Sequence, residues 1–185
     1  MSRLPSTTIS FRVSAETASE LERFARQEHM SMSSLLTQIV SLYLEWDSIA
    51  SKAGMIPIQK DAVQILIERK TDEELEEIAD ILADRFLGKL LVITGELTLD
   101  AFLKVTKVRA KKSDFTFKQY SNGKIQIVMR HGMGRKWSVF FSTFSKIVVN
   151  RLGYSGELKI ADDMWVLAID RKKRVEQGNN LSVAS

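Results

Sequence analysis

Thr7-Thr8-Ile9-Ser10-Phe11-Arg12-Val13 opens the stretch that decides how this chain is read. In an extended strand, alternate residues share a face. Ile9, Phe11 and Val13 therefore point one way, and Thr8, Ser10 and Arg12 the other. Ser14 suits a helix N-cap, and Glu16 sits where negative charge favours the positive end of a helix. Leu21, Phe24 and Ala25 continue at helical spacing. A polar break at His29-Met30-Ser31 follows, and Ser31 is a second N-cap, with Ser33 and Ser34 in the first turn. The next helix carries Leu35, Leu36, Ile39, Val40, Tyr43, Leu44 and Trp46. These cover more than one face, as expected of a helix that packs both on its own subunit and on a partner. One strand leaves its backbone unpaired, and about 40 residues bury too little surface to fold alone. A second copy solves both problems by pairing the strands and interlocking the helices.

Beyond this stretch, the 185 residues are 44% hydrophobic and 27% charged, ordinary for a soluble globular protein of one or two domains. There is no cysteine, which excludes disulfides and thiolate metal sites and suits a reducing interior. Residues 1–10 contain no signal-like apolar core. No apolar run reaches the roughly 18 residues of a membrane span. A cytoplasmic protein without membrane contact is expected.

Net charge is +4, and its distribution says more than its size. Residues 1–47 hold four basic and six acidic side chains. The segment 68–84 is acidic. Residues 98–136 hold ten basic groups against Asp100 and Asp114 alone. The basic excess thus lies in the second half of the chain.

Ser51 to Gly54 reads as a helix end and hinge, and Asp61 to Arg69 as a short helix. Thr71-Asp72-Glu73-Glu74 is a capping-box start for a helix bearing Leu75, Ile78, Ala79, Leu82 and Phe86. Leu90 to Thr94 reads as the end of that helix or as a buried strand. Leu99 to Lys111 is helical. Phe115 to Tyr120 and Lys124 to His131 are strands around an Asn122-Gly123 turn. Trp137 to Leu152 is a helix. Glu157 to Ala161 and Met164 to Ile169 form a second hairpin if Asp162-Asp163 is a turn. The order is then helix-strand-strand twice. With Leu90 to Thr94 as a strand and no turn at Asp162-Asp163, it becomes strand-helix-strand-strand-helix-strand. Either way the class is α+β, with helices layered on a sheet. Residues 1–53 are expected to form the first module and 54–170 an α+β domain. Residues 171–185 form a basic tail, disordered toward its end.

The alternating strand, the helix start Ser14-Ala15-Glu16-Thr17 and the second helix opening Met30-Ser31-Met32-Ser33-Ser34 resemble the ribbon-helix-helix (Arc/MetJ-like) family of dimeric DNA-binding proteins. The resemblance covers residues 7 to about 46. The chain departs from it at His29-Met30, where many members carry Gly. The resemblance implies a homodimer whose two strands pair antiparallel and enter the major groove of double-stranded DNA. It directs Thr8, Ser10 and Arg12 toward base edges. An arginine there can bond a guanine through two donors. The helix start at Ser31, Met32 and Ser33, with Arg3 of the leading arm, would hold phosphates. The competing reading makes Thr8, Ser10 and Arg12 a solvated strand face in a ribbon that only dimerises.

In the second half, His131-Gly132-Met133-Gly134-Arg135-Lys136 lies at a strand-to-helix junction. Such a junction can offer N–H groups to an anion, with cations beside them. His131, Gly132, Gly134, Arg135 and Lys136 are thus a candidate anion or effector site, and a tight turn is the plainer alternative. Two histidines and no cysteine make a nickel or zinc sensor unlike this chain, and no metal or other cofactor is expected. No nucleophile, base or phosphate-loop spacing supports an enzyme. Lys104, Lys107 and Lys111, with Arg109 and Lys112, read as a basic helix stripe. It would touch flanking DNA, bind RNA or an anionic effector, or pair with the acidic segment.

The expected function is a transcriptional repressor, a homodimer or higher oligomer. Its C-terminal domain adds oligomer contacts or binds a small-molecule or protein effector. The alternative is a nucleic-acid-binding or scaffold protein working through the basic second half. An antitoxin is a third class, disfavoured because such chains usually append only a short disordered segment.

Overall fold

The computed structural model describes residues 7–50 and 54–170, the side chain of Ile49 excepted. The chain divides into two compact units between Ser48 and Ile49, rather than after residue 53. The expected hinge residues 51–53, the arm with Arg3 and the tail from 171 onward lie outside the described residues.

In the first unit, α1 spans Ala15–Gln27 and α2 Met32–Leu42. A π-helical turn, Tyr43–Asp47, follows, and the short α3, Ser48–Ala50, begins at the last residue of this unit. Both long helices begin as their capping residues require. Ser14 Oγ accepts from the Thr17 amide at 3.0 Å, and Ser31 Oγ from the Ser34 amide at 3.1 Å. The end of α1 explains the missing glycine. His29 is left-handed, with φ 52. Its amide donates to the Arg26 carbonyl at 3.2 Å, and the Met30 amide to the Ala25 carbonyl at 2.9 Å. This is a Schellman closure, normally the place of glycine. Asp114, with φ 55, closes α6 (Leu99–Lys112) in the same way.

The second unit runs α4 (Lys60–Glu68), α5 (Asp72–Thr94), α6, β1 (Thr116–Asn122), β2 (Lys124–Arg130), α7 (Gly134–Arg151), β3 (Gly156–Ile160) and β4 (Met164–Ile169). The capping box at Thr71 and Glu74 forms with both bonds present. Leu90 to Thr94 completes α5 and is not a strand. The apolar period of Leu75, Ala79, Ala83 and Phe86 continues through Leu90, and Gly95 stops the helix with φ 77. The helix-strand-strand order therefore occurs twice, and the strand-first alternative is excluded.

The sheet is antiparallel, in the order β1-β2-β4-β3. Each repeat contributes a hairpin, and the second strands of the two hairpins pair at the centre. Gly123 forms the apex of the first turn, with Asn122 and Lys124 opposite each other in the ladder. The Ala161 amide donates to the Met164 carbonyl at 2.8 Å across the Asp162-Asp163 turn.

α7 packs against α5 on one side and β3 and β4 on another. Its Trp137, Val139, Phe140, Phe141, Phe144, Val148 and Val149 are all buried. Phe86 of α5 meets Phe144 edge-on, with ring centroids 5.3 Å apart. A helix apolar on nearly every side belongs inside a core. Two of its three buried serines are satisfied by the helix's own backbone. Ser145 Oγ donates to the Phe141 carbonyl at 2.8 Å, and Ser142 Oγ to the Val139 carbonyl at 3.3 Å.

A Cβ placed on Gly156 would come within 2.8 Å of the Leu167 side chain, which has no exposed surface in which to retreat. Gly156→Ala is expected to cost about 1–3 kcal/mol in chemical denaturation. His29→Gly removes left-handed strain and is expected to gain about 0.5–1 kcal/mol, read as a higher melting temperature at fixed protein concentration.

Candidate nucleic-acid interface

Residues 7–14 form neither helix nor strand within one chain, so the expected strand is not realised there. The physical reason is the one that motivates a dimer, since a strand exists only against another. Ile9, Phe11 and Val13 are 82%, 60% and 46% exposed. Phe24, Ile39, Val40, Tyr43 and Leu44 are exposed as well. Ala25 is the one buried side chain among the described residues of this unit. Fully burying an exposed aliphatic or Phe side chain contributes about 1.5–3 kcal/mol, and covering one already half-buried contributes correspondingly less.

Thr8, Ser10 and Arg12 are likewise exposed, alternating with the apolar set. At the start of α2, Ser31 Oγ occupies the Ser34 amide, and the Ser31 carbonyl takes the Leu35 amide. Met32 and Ser33 supply the first two helical amides, ahead of the first intrahelical bond, with the Ser33 side chain exposed.

The residues grouped as an anion or effector site are brought together, and His131, Gly134, Arg135 and Lys136 are engaged by the chain itself. His131 is buried. Its Nε2 lies 2.8 Å from Ser138 Oγ, and its Nδ1 accepts from the Met133 amide at 3.0 Å. Nδ1 is therefore unprotonated, and Nε2 donates to Ser138, which in turn donates to the Asp162 carbonyl at 3.1 Å. The Gly134 amide donates to Asp163 Oδ1 at 2.8 Å, so a carboxylate of the β3–β4 turn already fills the helix N-terminus. The His131 amide meets the Asp163 carbonyl at 3.0 Å. Gly132 takes a left-handed φ of 63 beside these contacts. Lys136 and Arg135 pair with Asp72 at 2.7 and 3.4 Å. The hydrogen bond from Lys136, then the charges of Lys136 and Arg135, hold the Asp72 carboxyl below its ordinary pKa. The aspartates were legible as turn and cap residues, but nothing in their spacing showed that they close this junction.

The acidic helix α5 is answered from α7 and from its own start. Asp72 is taken as above. Asp80 accepts from Arg151 at 2.9 Å, and Glu74 pairs with Lys70 at 2.8 Å. Lys104, Lys107 and Lys111 of α6 stay exposed along one helical face and form no ion pair among the described residues. Arg109 leaves that stripe. Its guanidinium lies 4.9 Å from the Phe141 ring centroid, where desolvation lowers its pKa.

Among the described residues, no group of three or more His, Asp and Glu is placed to hold a metal ion, and no helix is long and apolar enough to cross a membrane. Comparison with protein-family models, curated proteins and solved structures yields no match to this chain.

Burial pushes the His131 pKa down to about 4, against an ordinary 6.5. Between these values the unfolded chain takes up the proton and the folded chain does not. Stability is therefore whole above about pH 6.5 and falls as pH drops toward 4, by at most about 3 kcal/mol. Urea denaturation at pH 7, 5.5 and 4.5 should show this slope in the wild type and a shallower one in His131→Gln. Equal slopes would mean that His131 does not carry the effect.

Proposed function

We propose that the chain is a homodimeric, cytoplasmic DNA-binding regulator that represses by occupying its operator with a two-stranded intersubunit ribbon. The observation that carries this reading is the incomplete first unit. It has formed, capped helices and almost no interior. A second copy would pair residues 7–13 of each chain and bury Ile9, Phe11 and Val13 against the helices. The polar face of the ribbon would then present Thr8, Ser10 and Arg12 to base edges. The amides of Met32 and Ser33 and the Ser33 hydroxyl supply phosphate contacts.

A specific observation also favours a part for the second unit. Lys104, Lys107 and Lys111 of α6 form no ion pair among the described residues, whereas Asp72, Glu74, Asp80 and Asp84 of α5 are paired elsewhere. Lysines at positions 104, 107 and 111 span about 10 Å along the helix. That row suits the backbone of flanking DNA, or nucleic acid bound mainly through this unit.

One titration separates these roles. Arg12→Ala should weaken binding to a selected duplex by about 5- to 150-fold and leave random duplex nearly unchanged. Replacing Lys104, Lys107 and Lys111 with alanine should weaken all duplexes alike and reduce the salt slope by about 2–3. An unchanged Arg12→Ala affinity would remove the ribbon as reader. A monomer at micromolar concentration in sedimentation would remove the ribbon altogether.

A further inference from the structure

The sheet of the second unit covers its core with one face only. Ile127, Met129, Trp165, Leu167 and Ile169 are buried on that side. On the opposite side a single cross-strand row runs Lys118, Val128, Val166, Lys159 from edge to edge. At the ordinary strand spacing this row is about 14 Å wide. Its ends are exposed lysines and its middle is half-buried valine. The adjacent row begins with Tyr120, 47% exposed, beside Gln126 and Ala168. A hollow of about 340 Å³ opens there, lined by Tyr120, Asn122, Lys124, Gln126 and Ala168.

We propose that this face binds a single strand of nucleic acid. Tyr120 stacks a base, the amides of Asn122 and Gln126 meet base edges in the hollow, and Lys118, Arg130 and Lys159 hold the phosphates.

Charge selects this occupant. Lys124 is neutralised within the chain by Asp170 at 3.3 Å and Glu157 at 3.5 Å. Lys118, Arg130 and Lys159 have no ion-pair partner among the described residues, although they share the face. A second copy of the same face would bring these cations toward one another, which is unfavourable. A polyanion relieves them. The apolar middle and the exposed ring ask in addition for flat, unsolvated rings. Bases paired inside a duplex cannot stack on a side chain, whereas those of a single strand can. A four-stranded sheet of this width holds about two or three stacked bases.

The surface is separate from the ribbon, so the two readings fail separately. The experiment uses the full chain and fluorescence anisotropy with labelled twelve-residue oligo-dT and oligo-rU, and with a duplex. Wild type is expected to bind the single strands, more weakly as salt rises. Tyr120→Ala should lose at least about fivefold in affinity, and Tyr120→Phe should keep it. Lys118→Ala with Lys159→Ala should lower the salt slope by about 1.4. This pair tests the face even if Tyr120→Ala does not fold. Duplex binding should be untouched by Tyr120→Ala, and single-strand binding untouched by Arg12→Ala. Absence of single-strand binding overturns the proposal, as does binding indifferent to both sets of substitutions. An oligomer that Tyr120→Ala dissociates, with no oligonucleotide bound, assigns the face to self-association and also overturns it.

Discussion

The second unit depends on the burial of one helix. α7 lies against α5 and against β3 and β4, and ten of its eighteen residues are buried. Most polar groups of a helix in that position must be met within the chain, and only Trp137 Nε1 and Asn150 Oδ1 of its described side chains are buried without a hydrogen bond. Its serines bond to its own backbone or to the neighbouring turn, and its first amide is met by Asp163. Its charged ends reach outward to Asp72, Asp80 and Asp84 of α5. Partly exposed pairs of this kind add little stability singly, so their effect is chiefly to orient α5 on α7. The cations that read as an anion site are in this way spent on the fold.

The first unit is governed by the opposite condition. Its helices are well begun, and α1 is well ended, because caps and closures are local interactions that need no core. What it lacks is anything to bury its apolar side chains against. Local order without an interior is the physical ground for expecting a second copy. Residues 7–13, expected as a strand, form none within one chain.

Much of the secondary structure was legible. Capping residues at Ser14, Ser31 and Thr71, and the Asn122-Gly123 and Asp162-Asp163 turns, each mark an element end through a bond made within a few residues. His29 and Asp114 were not legible as helix terminators. Neither is glycine, and their left-handed backbones are held by Schellman bonds that composition does not announce. Leu90 to Thr94 was ambiguous because a short apolar run fits a strand and a helix equally well. At the candidate sites, residues 7–13 form no strand within one chain, and their apolar and polar sets are exposed alike. From His131 to Lys136, His131, Gly134, Arg135 and Lys136 take partners within the chain. Whether an amide or cation is free depends on carboxylates 29 to 64 positions away in sequence.

Sequence alone determined most of the helices and the hairpin around Asn122-Gly123. It determined, too, that the basic excess lies in the second half. These follow from period, caps and turns, all acting over a few residues. Only the tertiary structure decided that β2 pairs with β4, that Asp72, Asp80 and Asp84 of α5 go to α7 rather than to α6, and that one face of the sheet is left open by the described residues of the second unit. Those outcomes rest on which elements compete for the same neighbour. That competition is between surfaces far apart in the chain, and no local pattern encodes its result.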